Sequence, residues 1–164
     1  MITHTIMNTS QVTRYLLRDL EQAEREELLA SKVSAMLAFV DGKGFPRLVP
    51  CWFFWDGGAF YVTSYADKFH VRCLQRNPRA SIGIEIAHAA DGAVANRQVK
   101  GVGEVVISED VEGYWARRIA EKYLGNVGRL DSGTSRVVIR LEPQRITAHG
   151  GGLKISSQPP ADSR

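Results

Sequence analysis

Cysteine is scarce in this chain: Cys51 and Cys73 are the only two in 164 residues. They fall in different elements, without CxxC spacing and without a histidine at a ligand spacing. That argues against a redox motif or a metal centre and for two small buried thiols. The four histidines, His4, His70, His88 and His149, are too far apart to make a pairwise helical or strand motif, so no metal is expected. Long apolar runs are also missing. The longest, Ala35 to Val40 and Val49 to Trp55, are far too short for a bilayer, and the polar start Met1 to Ser10 has no apolar signal segment. The expectation is a cytoplasmic protein without a membrane partner. No nucleophile elbow is present, and Gly150-Gly151-Gly152 lacks the Lys-Ser/Thr of a phosphate loop. Charge of one sign is not in marked excess either: 21 Lys and Arg stand against 18 Asp and Glu, interspersed, for a net charge of +3. Nucleic acid is therefore not expected as a partner, and a small phosphate-bearing ligand accounts for the excess equally well.

What is present suits one domain. Apolar residues make up 44% and charged residues 24%, and a chain of this length buries roughly 70% of its unfolded surface. The organisation expected is a flexible lead over 1–14, a domain over 15–149 and a flexible Gly/Ser/Pro-rich tail over 150–164. Leu16, Leu20, Ala23 and Leu28 predict an amphipathic helix from Tyr15 to Lys32. Ser34 to Val40 and Arg47 to Trp55 read as strands joined by the turn Asp41-Gly42-Lys43-Gly44, and Asp56-Gly57-Gly58 turns the chain into a strand from Ala59 to Ser64. A helix over Lys68 to Arg76 stops at Asn77-Pro78, and Ala80 to Ala87 is a strand. His88 to Ala95 reads as a loop. Asn96 to Ser108 is a strand with Val99, Gly101, Gly103, Val105 and Ile107 on one face. Val111, Trp115 and Ile119 mark a helix ending near Gly125, and Arg136 to Leu141 and Gln144 to His149 are strands separated by Pro143. Six or seven mostly consecutive antiparallel strands with a few helices predict a mainly β fold, a Greek-key or meander barrel.

The stretch from Gly44 to Pro78 is the most informative. It sets Thr63-Ser64 at the end of a buried strand and Lys68 at the start of a helix, where a cation, hydroxyls and main-chain N–H groups can hold a phosphate monoester. Lys68 is either that cation or a solvated lysine. Thr63 and Ser64 are either ligand contacts or strand-end residues bonding to backbone. Arg47 is either a phosphate or ring partner or an ordinary charge at a strand start.

The order G-x-P then V-P-x-W-F, D-G-x-x-x-Y-V-T-S, Lys68, N-P-R-A-S-I, R-Q-V-K-G-V-G-E-V, Y-W-A-R-R and R-V-V-I-R-L-E-P-Q-R-I-T resembles the FMN-binding split-barrel family, the pyridoxamine 5'-phosphate oxidase-like flavin and deazaflavin reductases. The resemblance covers about residues 20 to 149. It implies a split β-barrel in which Arg47, Leu48, Val49, Pro50, Cys51 and Trp52 run beside the flavin, while Val62, Thr63 and Ser64 line its ribityl and phosphate end. Lys68 would be the phosphate cation and Gln98 a flavin contact. Two adjacent basic residues of the oxidase correspond to Asp67-Lys68 here, and His70 and Arg72 can share the phosphate role. The resemblance further implies a homodimer with the cofactor at its interface. The implied function is an FMN-dependent oxidoreductase acting on a small organic substrate, with a deazaflavin-dependent reductase or a non-enzymatic flavin- or haem-binding protein as alternatives. Trp52, Phe53, Phe54 and Trp55 are expected as core and dimer contacts, and Tyr114, Trp115 and Arg118 as a packed helix face.

Overall fold

The computed structural model describes residues 14–90, 93–127 and 135–154. Eight strands and three α-helices follow one another as β1 (Arg14–Asp19), α1 (Gln22–Ala30), β2 (Ala35–Val40), β3 (Pro46–Cys51), β4 (Phe54–Asp56), β5 (Ala59–Tyr65), α2 (Phe69–Arg76), β6 (Arg79–Ala90), β7 (Ala93–Glu109), α3 (Tyr114–Leu124) and β8 (Arg136–Lys154), with a 3-10 turn at Val111–Gly113 before α3. All strand pairs are antiparallel, in the order β3-β2-β6-β7-β8-β5-β4, and β1 lies against β8.

That order explains the barrel. The edge strands β3 and β4 are consecutive in the chain, joined only by Trp52 and Phe53. The three steps from Cys51 to Phe54 span about 11 Å at most, so the sheet must curl until its edges approach, although no ladder closes them. The result is a barrel with an open seam. Phe53 anchors the seam: it is fully buried, its N–H donates to the Tyr123 hydroxyl (3.3 Å) and its carbonyl accepts from Lys122 Nζ (3.2 Å). The single strand expected from Arg47 to Trp55 is thus two strands on opposite edges, because burying Phe53 pulls the chain across the seam.

The β2–β3 hairpin forms as its turn residues dictate. Asp41 Oδ1 accepts the amides of Lys43 (2.9 Å) and Phe45 (3.0 Å), Oδ2 accepts from Arg47 Nε (2.9 Å), and Gly44 takes a φ of +85° that other residues rarely adopt. Inside, Leu28, Leu37, Phe53, Phe60, Leu74, Ile82, Ile139 and Leu141 make the largest buried side chains. The inner face of β7 carries glycine at 101 and 103 for want of room. A Cβ on Gly101 would stand 2.9 Å from the Phe60 ring, and one on Gly103 would stand 2.7 Å from the Glu142 carbonyl.

Other elements also differ from the sequence expectation. Residues 14–19 are a strand, not helix, since pairing with Gly150–Lys154 through His149 outweighs local periodicity. The helix begins only at Gln22, where Glu21 and Glu24 form a reciprocal capping box. The expected loop over 88–95 is largely strand, as β6 and β7 pair from Arg79–Glu104 to Ala90–Ala93. Pro143 does not end a strand: β8 runs through it with a bulge, the register shifting between Val102 and Gly103, which accommodates the missing N–H. Val111 stands outside α3, 68% exposed, in the 3-10 turn. The expected tail from Gly150 begins within β8, and its remainder, 155–164, lies outside the described residues, as does the lead up to residue 13.

Candidate functional site

A cavity of about 470 Å3 opens along the seam. One wall is edge strand β3 with Val49, Pro50 and Cys51, continued by Trp52, and the opposite wall is Val62, Thr63 and Ser64 of β5. Among the described residues β3 has a ladder partner only in β2, so the open side of its backbone offers the Leu48 N–H and the carbonyls of Pro46, Leu48 and Pro50 to other partners. Trp52 is held upright by stacking on Tyr123, with centroids 4.7 Å apart and planes 5° from parallel. Helix α3 closes a third side with the small apolar face of Ala116, Ile119 and Ala120. Asp110 starts that helix: 6% exposed, its carboxylate accepts the amides of Trp115 (2.8 Å) and Ala116 (3.0 Å).

The polar groups gather at one end. Ser64 Oγ lies 2.8 Å from His70 Nε2, and Arg136, opening β8, lines the same cavity and donates through Nη2 to the Tyr65 hydroxyl (3.0 Å). Burial, with the charge of Lys68 adding to it, holds the His70 imidazole below its ordinary value, and burial pushes the Cys51 thiol up to about 12. Helix α2 begins beside this end. Its N-cap residue is Lys68, which supplies no side-chain cap, so the first amides of the helix have no partner from that source.

Of the residues expected from sequence, Val49, Pro50, Cys51, Trp52, Val62, Thr63, Ser64 and His70 line this one cavity. Arg47, Leu48, Lys68 and Gln98 are not among its lining. Arg47 is engaged by Asp41 and lies over the Phe69 ring at 5.8 Å. Leu48 is 64% exposed, and Lys68 is exposed with Nζ 5.9 Å from the Tyr65 ring centroid. Gln98 lines a second cavity of about 260 Å3, with Met36, Glu85 and Lys100. The two cavities use opposite faces of β2, since Leu37 lines the first and Met36 the second. The α3 wall and Arg136 were not among the expected site residues. Small apolar residues at helical spacing signal any buried face, and only the opening position of Arg136 in R-V-V-I-R hinted at a strand end near a ligand.

The first cavity has the size and character of a small-molecule site, which spans roughly 300 to 1,000 Å3 with apolar walls and few convergent polar groups. An apolar slot beside an open strand edge suits a planar ring. The Thr63, Ser64, His70 and Arg136 end, next to an uncapped helix start, suits a phosphate ester. The residues present therefore fit a flavin mononucleotide. Among the described residues, no three His, Cys, Asp or Glu side chains come together to hold a metal ion, and no helix is long and apolar enough to cross a membrane.

Comparison with known proteins agrees with this geometry. No curated protein matches the chain. Among solved structures, a candidate 5-nitroimidazole antibiotic resistance protein from Bacteroides thetaiotaomicron is similar at 17% identity and a TM-score of 0.76, over 92% of this chain and 98% of that one. An F420 reductase is similar at 24% identity and a TM-score of 0.59, over 74% and 94%. A FAD-binding protein from Mesorhizobium loti is similar at 18% identity and a TM-score of 0.61, over 82% and 98%. At these identities the likeness is one of fold. Residues 21–150 match the family described as pyridoxamine 5'-phosphate oxidase, and with most of its length inside that match the chain belongs to the pyridoxamine 5'-phosphate oxidase family of flavin-binding split-barrel proteins.

Proposed function

We propose that this protein is an FMN-dependent oxidoreductase acting on a small organic substrate, working as a cytoplasmic homodimer. The observation that carries the reading is the seam cavity, which joins an open strand edge to a phosphate-suited end in one space. When bound, FMN supplies the transfer of a hydride or an electron pair. The chain's own residues hold and enclose. The hydroxyls of Thr63 and Ser64 and the first amides of α2 donate to the phosphate, and His70 and Arg136 set its electrostatic surroundings. On the open side of β3, where Pro46 and Pro50 have no N–H, the Leu48 N–H donates to the polar edge of the ring. Ala116, Ile119 and Ala120 keep water from the inner wall. No side chain is required as general acid or base.

Dimer formation would bring Gln98 and the outer face of β2, β6 and β7 toward a partner's site, which accounts for a glutamine on a strand beside a cavity of its own. The two free cysteines suit a reducing compartment. A deazaflavin reductase is the second reading, favoured by the likeness to an F420 reductase.

The absorption spectrum of the purified protein, before and after incubation with each cofactor, tests this. Oxidised-flavin bands with one FMN per chain support the reading, a single deazaflavin band supports the second, and a Soret band replaces both with haem binding. A colourless protein that takes up none of the three overturns the flavin reading. Turnover of bound FMN by a nicotinamide donor and a substrate separates an enzyme from a carrier. A monomer by light scattering at micromolar concentration overturns the dimer.

A further inference from the structure

We infer that the Ser64–His70 pair makes the phosphate grip of the seam cavity proton-coupled, the imidazole taking up a proton as a phosphate ester binds. This rests on the reading of the cavity as a flavin nucleotide site. Ser64 Oγ and His70 Nε2 are 2.8 Å apart and both line the cavity. A serine hydroxyl has one proton to donate and a neutral imidazole has one acceptor nitrogen. With the neutral ring in its Nδ1–H form, Nε2 accepts from the Ser64 hydroxyl; in the cation both ring nitrogens carry hydrogens, so Nε2 donates to Ser64 Oγ and the hydroxyl turns its own hydrogen toward the ligand as a donor. Protonation thus adds a positive charge and frees a donor at the same end of the cavity.

The surroundings favour a neutral ring until an anion arrives. From its own helix His70 meets the charge of Lys68, while Arg72 donates to the Asp67 carbonyl. From β8 it shares the cavity with Arg136, and from β3 with Cys51, whose thiol stays protonated. From β2 it meets the Phe39 ring at 6.3 Å, from β5 the uncharged Thr63 and Ser64, and from α3 only apolar side chains. Burial first and the Lys68 charge second disfavour a positive ring, in a cavity that Arg136 also lines and no carboxylate does. A phosphate near two negative charges reverses that balance, so affinity must rise as pH falls from the bound-state toward the free-state value of His70 and level off below it.

The test is FMN and riboflavin binding by flavin-fluorescence quenching between pH 6 and 8, on the wild type and His70→Gln. The variant carries the phosphate's own second ionisation, near pH 6, and serves as its control. The expected result is that wild-type FMN affinity, divided by that of His70→Gln, rises several-fold from pH 8 to pH 6, by about tenfold per unit at most, while the riboflavin ratio stays flat. Calorimetry on the wild type at pH 7.5, in buffers of different ionisation enthalpy, should show net proton uptake with FMN and none with riboflavin, whatever the variant's stability. A flat FMN ratio, an equal slope for riboflavin, or no proton uptake overturns the inference and leaves the flavin reading standing. Failure of both ligands to bind at any pH overturns the two together.

Discussion

The indole of Trp115 stacks on the ring of Tyr61 with centroids 3.6 Å apart and planes 10° from parallel, joining α3 to β5, two walls of the seam cavity. The guanidinium of Arg118 adds to this seam, 4.3 Å from the Phe54 ring centroid and 3.1 Å from Asp56 Oδ2. Trp115→Leu should therefore destabilise the fold by about 0.5–1.5 kcal/mol beyond the area lost, the worth of an aromatic pair. It should also loosen α3 against the cavity and weaken FMN. Urea unfolding and FMN titration on the same variant check both, and an unchanged midpoint counts against a stabilising role for the stack.

Asp110 holds the start of α3 across the 3-10 turn, where Glu112 has a φ of +53° and Gly113 one of +65°. Asp110→Ala removes the acceptor of two amides and should cost about 1–2 kcal/mol, while Asp110→Asn keeps an acceptor oxygen and should cost less. Thermal unfolding of the two variants side by side gives the comparison, and equal losses would point to packing, not capping.

Much of this architecture is legible because local chemistry and tertiary packing agree. The β2–β3 turn follows from Asp41 and Gly44, the alternating inner face of β7 from Val99, Gly101, Gly103 and Val105, and the end of α2 from Asn77-Pro78. Misreadings fall where a distant partner decides. Nothing local in Gly150-Gly151-Gly152 announces a strand, yet it pairs with β1 on one side and β7 on the other. The cavity strands were legible as β-branched residues ending in hydroxyls. Lys68 and Arg47 look equally suited by charge, but side-chain direction, set by the turn at Asp41 and the rim of α2, keeps them off the lining.

That separation ranks the phosphate contacts. Ser64→Ala removes a hydroxyl from inside the cavity and should weaken FMN by about 1 kcal/mol, the net worth of one hydrogen bond. Lys68→Ala removes an exposed charge screened by salt, so its effect should be smaller and should shrink further as ionic strength rises. Riboflavin, without the phosphate, should barely respond to either. Titrations at low and high salt distinguish the cases. A larger, salt-insensitive loss for Lys68→Ala would place its ammonium directly on the phosphate.

Cys51 sits in the β3 wall, and burial pushes its thiol up to about 12. An unfolded cysteine ionises near about pH 8.5, so between these values the unfolded state gives up a proton that the folded state keeps. Stability from this group must accordingly fall as pH rises above about 8.5, with no contribution below it. The same shift leaves roughly one thiol in 10,000 ionised at pH 8, against about one in four for a free cysteine, so attack on a disulfide reagent should slow by about a thousandfold or more. Peptide mapping after timed labelling follows Cys51 separately from Cys73, and urea should restore ordinary reactivity. Rapid labelling of Cys51 in the folded protein would mean that its half-buried thiol is not held in the protonated form on the cavity wall.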